Sequence, residues 1–510
     1  MPRYAAIDIG SNSIRMLAAE VEDGRPPRIL AEDRQVTRLG EGVFRNGQIS
    51  GESLDFLSTH LQRMVNAYRS HDVLAARIVA TAAVRDAGNR DEFVETATAI
   101  AGQPVEIISG QEEARLIHLG VMSRWPHPKQ RILIVDIGGG SAEFILSEDG
   151  RLAQAYSRPL GALRITEVFL TEDPPSSAAL HRMNEYIEEK MNVAARRIGR
   201  GPFHRAIGTS ASAAAIVSAV NRIPRPRRDQ ADRLRATLPQ VRRLYSQLCA
   251  MDLARRRKVA GIGPRRAEII VPGVAVLLQT LESFQLSALS YSAAGVRDGI
   301  VRDLADRRVG RELSRLSREQ RPLVESMARR FGVDLKHARK VAVFAHQLFE
   351  DLYPLHHLPR EQGRLLEAAA LLRDVGHFIS DTSHHKHSQY IVANADIAGF
   401  TDAERLEIAL LCRYHRKALP APRHPEFQDL DLERQRMLQT LTPILRVADA
   451  LDRSREQRVD AIECMTDDTG VSLFLKARRD VSLEQWAVER AADTFRTAFG
   501  RPLAVARGKP

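Results

Sequence analysis

The same short pattern occurs twice in this chain, and it limits the folds that the chain can adopt. An apolar run ends in an aspartate, a tight turn of small residues follows, and a second, largely apolar run leads away; the copies begin at Asp8 and Asp136. Each copy is typical of a strand, a turn and a second strand. About one domain length separates the two copies. The repetition therefore predicts two similar α/β lobes that face each other across a cleft, with both turns pointing into it.

The residues of the two turns suit the binding of anions. Glycine lets the backbone approach a ligand closely, and successive backbone N–H groups in a turn form a concave site for an anion. One such turn is usually no more than a hairpin, but two at domain spacing favour paired sites for a phosphate chain. The predicted phosphate-binding residues of the turns are Gly10, Ser11, Asn12, Ser13, Gly138, Gly139, Gly140 and Ser141.

The charge of the chain favours a polyanionic partner, because its net value is +11 over 510 residues. Much of the surplus comes from arginine-rich segments at residues 222–228, 255–258 and 265–266, for which a solvated surface is an equally good interpretation. Aromatic residues make up only 5% of the chain, and the sequence contains no zinc-finger motif. Specific nucleic-acid recognition is therefore not expected.

The sequence also predicts a cytoplasmic protein that does not enter a membrane. Its longest apolar run, residues 269–278, is far shorter than the roughly 20 residues of a membrane span. No signal peptide is visible at the N-terminus. The cysteines Cys249, Cys412 and Cys464 are scattered and form no Cys-x-x-Cys pair, which favours a reducing compartment.

The pattern of the sequence predicts four domains, because the chain is too long for one hydrophobic core. Strands and helices alternate over residues 1–125 and again over residues 126–308, after a proline-containing break. Helical periodicity dominates residues 309–455. An alternating stretch at residues 471–476 and a following helix predict a small α+β domain over residues 456–510.

Two adjacent glutamates follow a predicted strand at residues 105–108. Ser109 and Glu112 have the spacing of a capping box, in which the Glu112 carboxylate turns back to the N-cap amide. Glu113 points about 100° further round the helix, and it lies at a strand end, where α/β folds place active sites. We therefore predict that Glu113 is a general base, with two solvated acids favoured by the helix dipole as the alternative.

A second acidic pair, Asp136 and Glu143, flanks the second turn, and Asp8 is the matching carboxylate of the first. Two carboxylates on opposite sides of a hairpin can share a hard cation such as Mg²⁺. These residues are therefore the predicted metal ligands.

Two further segments are candidate phosphate sites. Arg85 is placed near the start of a predicted helix, where a guanidinium can hold a phosphate by two hydrogen bonds; an ion pair with Asp86 or Asp91 is the alternative. Thr209 and Ser210 link a predicted strand to a helix of small residues. They can donate to phosphate, or they can serve close packing of the helix on the sheet.

Taken together, these motifs resemble the exopolyphosphatase / guanosine pentaphosphate phosphohydrolase family. The resemblance rests on residues 7–13, 108–115 and 136–141, in that order, and it is strong over residues 1–305. The helical part is similar to the third domain of that family, a relative of the HD phosphohydrolases. The resemblance implies two actin-like (ribonuclease-H-like) lobes around a cleft, an all-α HD-like domain and a small C-terminal α+β piece.

The same resemblance implies an activity and its residues. Glu113 matches the catalytic glutamate of the family, the turns match its phosphate loops, Arg85 matches a phosphate-binding arginine, and Asp136 and Glu143 match acidic residues near the metal. It implies a homodimer that releases terminal orthophosphate from inorganic polyphosphate with Mg²⁺ or another divalent cation, and that also hydrolyses guanosine pentaphosphate to tetraphosphate. A phosphotransferase of the same superfamily and a non-catalytic regulator that binds guanosine polyphosphates are the alternatives.

The HD-like domain departs from a working HD site, which needs a histidine, a His-Asp pair and a later aspartate. His346 and Asp449 are placed for the first and last positions, but the pair reads Arg373-Asp374. Because a guanidinium cannot coordinate a cation and repels it, no catalytic metal is expected there. A nearby cluster is either a polyanion site or a set of ordinary surface and core histidines: His377, His384, His385, Lys386, His387 and His415.

Overall fold

The structure, a computed structural model, describes residues 1–22, 25–127, 129–199, 201–309, 314–317, 320–467 and 469–507. It comprises two compact units, Met1–Asp306 and Arg307–Pro510. Among the described residues, no helix has the length and the apolar character needed to cross a membrane.

The first unit begins with a five-stranded sheet whose order is β3-β2-β1-β4-β5. Strands β1, β4 and β5 are parallel, and β2 is antiparallel to both of its neighbours. The elements are β1 (Arg3–Ile9), β2 (Ile14–Glu20), β3 (Arg28–Gln35), α1 (Val43–Asn46), α2 (Gly51–Arg69), β4 (Ala75–Ala80), α3 (Ala82–Asp86), α4 (Arg90–Ala101), β5 (Val105–Ile107) and α5 (Gly110–Arg124).

The second half of this unit repeats the arrangement in a six-stranded sheet. Its elements are β6 (Arg131–Ile137), β7 (Ala142–Glu148), β8 (Arg151–Arg158), α6 (Ala162–Phe169), α7 (Ser177–Ile198), β9 (Arg205–Thr209), α8 (Ser210–Val220), a 3₁₀ helix (Arg225–Ala231), β10 (Arg235–Thr237), α9 (Leu238–Cys249), α10 (Leu253–Arg256), α11 (Ile270–Ser283), β11 (Ala288–Tyr291) and α12 (Val296–Val309). The sheet order is β10-β11-β9-β6-β7-β8, so the run β8-β7-β6-β9-β11 has the topology of the first sheet. The predicted pair of α/β lobes is confirmed.

The sequence of each central strand explains its place in the fold. Strand β6 is buried at every position after Arg131, and β1 is buried at most of its positions. Helices cover both faces of such sheets, so their central strands are continuous apolar runs instead of alternating ones. The first polar side chain near the carboxyl end of each run is an aspartate, Asp8 in β1 and Asp136 in β6, so both aspartates lie where the turns begin.

The second unit is mainly helical. Its helices are α13 (Gln320–Arg330), α14 (Leu335–Asp351), α15 (Tyr353–His356), α16 (Gly363–Leu372), α17 (His384–Ala393), α18 (Asp402–Tyr414), α19 (Pro425–Gln428), α20 (Leu432–Ala450) and α21 (Ser482–Phe499), with 3₁₀ turns at Arg360–Gln362 and Val375–Phe378. A sheet of order β12-β13-β14 is formed by β12 (Ala461–Thr466), β13 (Val471–Lys476) and β14 (Leu503–Arg507).

The predicted strand at residues 471–476 is the central strand of this small sheet. Its buried face belongs to the same hydrophobic cluster as the helices, with Leu473 and Phe495 packed in one core with Phe344 and Leu441. Within the described part of the chain, residues 456–510 therefore share the core of the helical unit. The division into four domains stays a prediction.

Candidate active site

The two turns face each other inside the first unit, as predicted. In each turn the first glycine donates its backbone N–H to the carbonyl of the fourth residue, over 3.1 Å at Gly10 and 3.0 Å at Gly138. The turns approach each other closely, since a Cβ atom on Gly139 would lie 3.2 Å from the backbone nitrogen of Asn12, tighter than most Cβ contacts in proteins. The turns border a cavity of about 700 Å³. All the predicted turn residues line it: Gly10, Ser11, Asn12, Ser13, Gly138, Gly139, Gly140 and Ser141.

The predicted metal ligands are carboxylates held at the turn ends. Asp136 and Glu143 are direct partners in the β6–β7 register. The Oε1 atom of Glu143 accepts a hydrogen bond from Ser157 Oγ at 2.8 Å, whereas none of the residues that the structure describes donates a hydrogen bond to its buried Oε2 atom. Burial, and then the charge of Asp136, raises the pKa of Glu143 to about 7. Burial also raises the pKa of Asp136 to about 6 and raises the pKa of Asp8.

Glu113 lies in the first turn of α5, and its side chain is only 12% exposed. Its Oε2 atom is buried and receives no hydrogen bond within the described part of the chain. Burial raises the pKa of Glu113 well above its ordinary value, and the charges of Glu143, Asp8 and Asp136 raise it further. The four carboxylates therefore form one charge cluster. A divalent cation fits this donor set, because it would offset both the repulsion and the desolvation of the buried oxygens.

Arg85 lies beside the proposed base. Its Nη1 atom donates to the carbonyl of Ile108 at 2.6 Å and lies 3.7 Å from Glu113 Oε2. The alternative pairing with Asp86 is not observed, because Asp86 forms an ion pair with Arg164. Arg85 is the fourth residue of the five-residue helix α3, which begins at Ala82.

Thr209 and Ser210 line the same cavity, but their hydroxyl groups are engaged within the protein. The Thr209 hydroxyl donates to the carbonyl of Ala294, and the Ser210 hydroxyl donates to that of Ile137 at 2.9 Å. Ser210 has a φ angle of 72°, in the left-handed region that serine rarely adopts. Strained backbone of this kind is concentrated at functional sites.

A set of arginines in the cavity was not predicted as site residues. They are Arg15, Arg34, Arg228, Arg266 and Arg297. Arg15 pairs with Asp8 on one side and with Arg34 on the other in the register of the first sheet, so these three side chains form one row. Burial, followed by the charges of Arg228 and Arg15, lowers the pKa of Arg266 to about 9. Mutual repulsion of this kind is relieved by a bound polyanion.

The sequence offered a partial signal for these arginines. Arg228 and Arg266 belong to the basic segments noted above, whereas Arg227 and Arg265 beside them are exposed. The basic segments therefore contribute some arginines to the cavity and others to the exposed surface. Arg15 had a signal of its own, since it follows the first turn on strand β2.

Of the predicted capping box, the Ser109 side-chain cap is present, but the Glu112 carboxylate has other partners. Ser109 Oγ caps α5 by accepting from the Glu112 backbone N–H at 3.2 Å. The Glu112 carboxylate, in contrast, lies among buried arginines, with Arg115 at 2.8 Å and Arg77 at 3.1 Å. Arg115 also pairs with Asp303 of α12 at 3.0 Å. Glu112 therefore fixes the helix that carries Glu113, which agrees with its predicted structural role.

Two protein-family models match this chain, one for each unit. Residues 17–308 match the model of the Ppx/GppA phosphatase family, and residues 320–490 match the model of Ppx/GppA phosphatase domain III. The chain belongs to the Ppx/GppA phosphatase family. Membership of this family supports a hydrolase that acts on phosphate groups.

Solved structures of Ppx/GppA relatives are similar to about three fifths of the chain. An exopolyphosphatase-like protein is 27% identical, with a TM-score of 0.57 over 61% of this chain and 99% of its own. The Aquifex aeolicus Ppx/GppA family member is 27% identical, with a TM-score of 0.52 over 60% of this chain and 97% of its own. A Cytophaga hutchinsonii exopolyphosphatase, 24% identical, has a TM-score of 0.55 over 60% of this chain and 98% of its own, and it supports the fold.

In domain III the buried arginine of the altered His-Asp pair is itself an ion-pair partner. Arg373 Nε donates to Asp449 Oδ1 at 2.7 Å, and Arg373 Nη2 lies 2.5 Å from His337 Nε2. His337 Nδ1 is 2.8 Å from Asp452 Oδ2. The histidine of this group is therefore His337, and the prediction of His346 was wrong. Helix α14 carries both residues, and periodicity alone does not distinguish the two faces on which they lie.

Proposed function

We propose that this Ppx/GppA protein releases terminal orthophosphate from inorganic polyphosphate by metal-assisted attack of water, and that it also hydrolyses guanosine pentaphosphate to tetraphosphate. The observation that carries this proposal is the position of Glu113. Its buried Oε2 atom, to which no described residue donates a hydrogen bond, belongs to one charge cluster with three further carboxylates at two facing glycine turns. A hydrolase needs such a base, whereas a protein that only binds phosphate does not.

The terminal phosphates would lie between the turns. Backbone N–H groups there can donate to phosphate oxygens, and Arg85, 3.7 Å from Glu113, can orient the terminal group beside the base. The proposed ligands Asp136 and Glu143, with Asp8, would hold Mg²⁺, which neutralises charge on the transferred phosphoryl group. Glu113 would accept a proton from the water that attacks phosphorus, in line with the leaving phosphate.

The arginines of the cavity support a substrate with several phosphates. Arg15 and Arg34 continue the row that starts at Asp8, and Arg228 and Arg266 come from the other lobe. Cations that repel one another before the substrate binds would each gain a partner along a phosphate chain. This arrangement favours polyphosphate or a guanosine polyphosphate over a monophosphate.

The proposal is tested by measuring phosphate release from long polyphosphate and from guanosine pentaphosphate side by side. Each substrate is assayed with Mg²⁺, with chelator, and with ADP added to the Mg²⁺ reaction. We expect release that requires Mg²⁺ and does not require ADP. Phosphate that appears only as ATP would identify a phosphotransferase. Tight binding of guanosine pentaphosphate without release under any metal condition would identify a regulator.

A further inference from the structure

Domain III contains a group of imidazoles whose ring nitrogens share one arrangement. His377 Nδ1 lies 2.6 Å from the carboxylate of Asp381, and His384 Nδ1 lies 3.3 Å from the backbone carbonyl of Asp381. His415 Nδ1 lies 2.7 Å from the carbonyl of Cys412. Carbonyl and carboxylate oxygens only accept, so each Nδ1 carries the hydrogen. In each neutral ring the Nε2 atom is then left with a free lone pair.

These Nε2 atoms converge on one another and on a carboxylate. His384 Nε2 is 3.3 Å from His415 Nε2, and Asp374 Oδ1 is 3.7 Å from His377 Nε2 and 4.0 Å from His384 Nε2. The ligand atoms of Asp374, His377 and His384 all lie within 4.8 Å of one another. Around a tetrahedral ion with bonds of about 2.1 Å, ligand atoms are about 3.4 Å apart. The observed separations are close to that spacing.

Hydrogen bonding does not explain this convergence. Two lone pairs face each other between His384 and His415, and both side chains are buried. The separations from Asp374 Oδ1 exceed hydrogen-bond length. The other oxygen of Asp374, Oδ2, is held at 3.0 Å by Arg455, which leaves Oδ1 directed at the imidazoles.

We propose that domain III binds one first-row transition-metal dication, with Zn²⁺ as the best match, through Asp374, His377 and His384, and that His415, whose Nε2 atom is 3.3 Å from His384 Nε2, completes the ligand set when the ion binds. Three imidazoles and one carboxylate form a donor set that selects such ions over Mg²⁺. The Nδ1 hydrogen bonds are the outer contacts that orient metal-binding histidines in known sites. Arg373 and Arg455 beside Asp374 weaken any ion held by charge alone, so nitrogen coordination decides the selectivity.

This site differs from the HD site that the sequence predicts to be inactive. Arg373 pairs with Asp449 and His337, and none of these three residues is a proposed ligand. The Arg373 guanidinium therefore occupies the place of the HD metal between Asp449 and His337. The proposed ion would instead bind at the Oδ1 atom of Asp374, which faces the imidazoles. From the predicted histidine cluster, His385, Lys386 and His387 do not line the cavity that holds His377, His384 and His415.

The test is the Zn²⁺ content of the full-length protein after equilibration with Zn²⁺ and removal of free metal. We expect His384→Ala and His415→Ala each to lose one equivalent of tightly bound Zn²⁺ relative to the wild type. His387→Ala, on the same helix but outside the cavity, is the matched control and should keep that equivalent.

Two further measurements guard against misfolded variants. Circular dichroism shows whether each variant is folded, and Zn²⁺ should raise the melting temperature of the wild type and of His387→Ala but not of His384→Ala. X-ray absorption at the zinc edge should show nitrogen and oxygen ligands with imidazole scattering. Equal Zn²⁺ content in folded His384→Ala, folded His415→Ala and His387→Ala would overturn the proposal, as would zinc bound by sulfur.

Discussion

At the scale of single residues, the cleft concentrates carboxylates whose protonation the fold favours. The raised pKa values of Asp136, Glu143, Glu113 and Asp8 share burial as their first cause. Each group therefore binds its proton more tightly in the folded than in the unfolded chain. The sign of the effect is that stability falls as pH rises from the unfolded pKa values, about 4, through the folded ones.

We predict that the cation-free protein loses a few kcal/mol of stability between about pH 4 and pH 7, and that Mg²⁺ restores most of it at neutral pH. The measurement is the melting temperature of the first unit's transition against pH, in chelator and in Mg²⁺. Glu143→Gln should flatten the dependence in chelator. Glu148→Gln, an exposed change on the same strand, should leave it unchanged. A melting temperature in chelator that rises over this pH range would contradict the interpretation.

We also predict that Arg228→Gln raises KM for long polyphosphate by about ten- to a hundredfold, because one charge-assisted contact contributes roughly 1.5–3 kcal/mol. The value of kcat should change little, since Arg228 is assigned to the chain beyond the reacting phosphate. Arg227→Gln, at the exposed neighbouring position, is the control. Equal KM values for the two variants would exclude Arg228 from substrate binding.

The site residues that were predicted are placed by local sequence, whereas those that were missed are placed by contacts between segments distant in the chain. Glycines and carboxylates after buried strands have a strong local reason for their position, so the turn residues and the aspartates Asp8 and Asp136 could be named from sequence. Arg228 and Arg266 reach the cleft only because a 3₁₀ helix and a loop fold back over it. The local sequence pattern does not show that these segments come close to the cleft. His337 was missed because the helical periodicity of α14 does not show which face of the helix meets Arg373 and Asp449.

At the scale of elements, the helix that carries Glu113 is held by a close crossing with α12. A Cβ atom on Gly299 would overlap the carbonyl oxygen of Leu116 in α5, and one on Gly120 would overlap the carbonyl oxygen of Gly295. The ion pair between Arg115 and Asp303 links the same two helices. The position of the proposed base therefore depends on the packing of α5 against α12.

We predict that Gly299→Ala destabilises the first unit by roughly 1–3 kcal/mol and lowers phosphate release, because α5 and α12 must move apart. Gly51→Ala is the matched control, since a Cβ there meets no atom within 4 Å and alanine favours the helix. Chemical denaturation and phosphate release are measured on both. A neutral result for Gly299→Ala would show that the crossing is not rigid.

Most helices and strands were predictable from periodicity, and the exceptions have identifiable causes. The apolar pattern predicts a helix over residues 264–284, but the helix begins at Ile270, and residues 264–269 form turns that bring Arg266 to the cavity. Strands β10, β12 and β14 were missed. They are short or only partly buried, so they lack a strong apolar pattern and depend on pairing with strands distant in sequence.

At the scale of the whole molecule, the net charge of +11 is expected to act on long polyanions. Salt screens attraction at a distance more than it screens contacts in a cleft. We predict that KM for long polyphosphate rises more steeply with salt than KM for guanosine pentaphosphate. Initial rates between low and physiological ionic strength measure this difference. If KM for both substrates rose equally with salt, the net charge would have no effect on long polyphosphate beyond the contacts in the cleft.

Dimerisation and cytoplasmic localisation stay predictions.

The most direct test of the central claim is Glu113→Gln under saturating substrate with Mg²⁺. Glutamine keeps the shape of the side chain and cannot accept the proton. We expect phosphate release to fall by about 10²–10⁴, while polyphosphate binding measured by calorimetry stays within a factor of a few of the wild type. Wild-type turnover in a folded Glu113→Gln protein would remove Glu113 from the reaction and contradict the account.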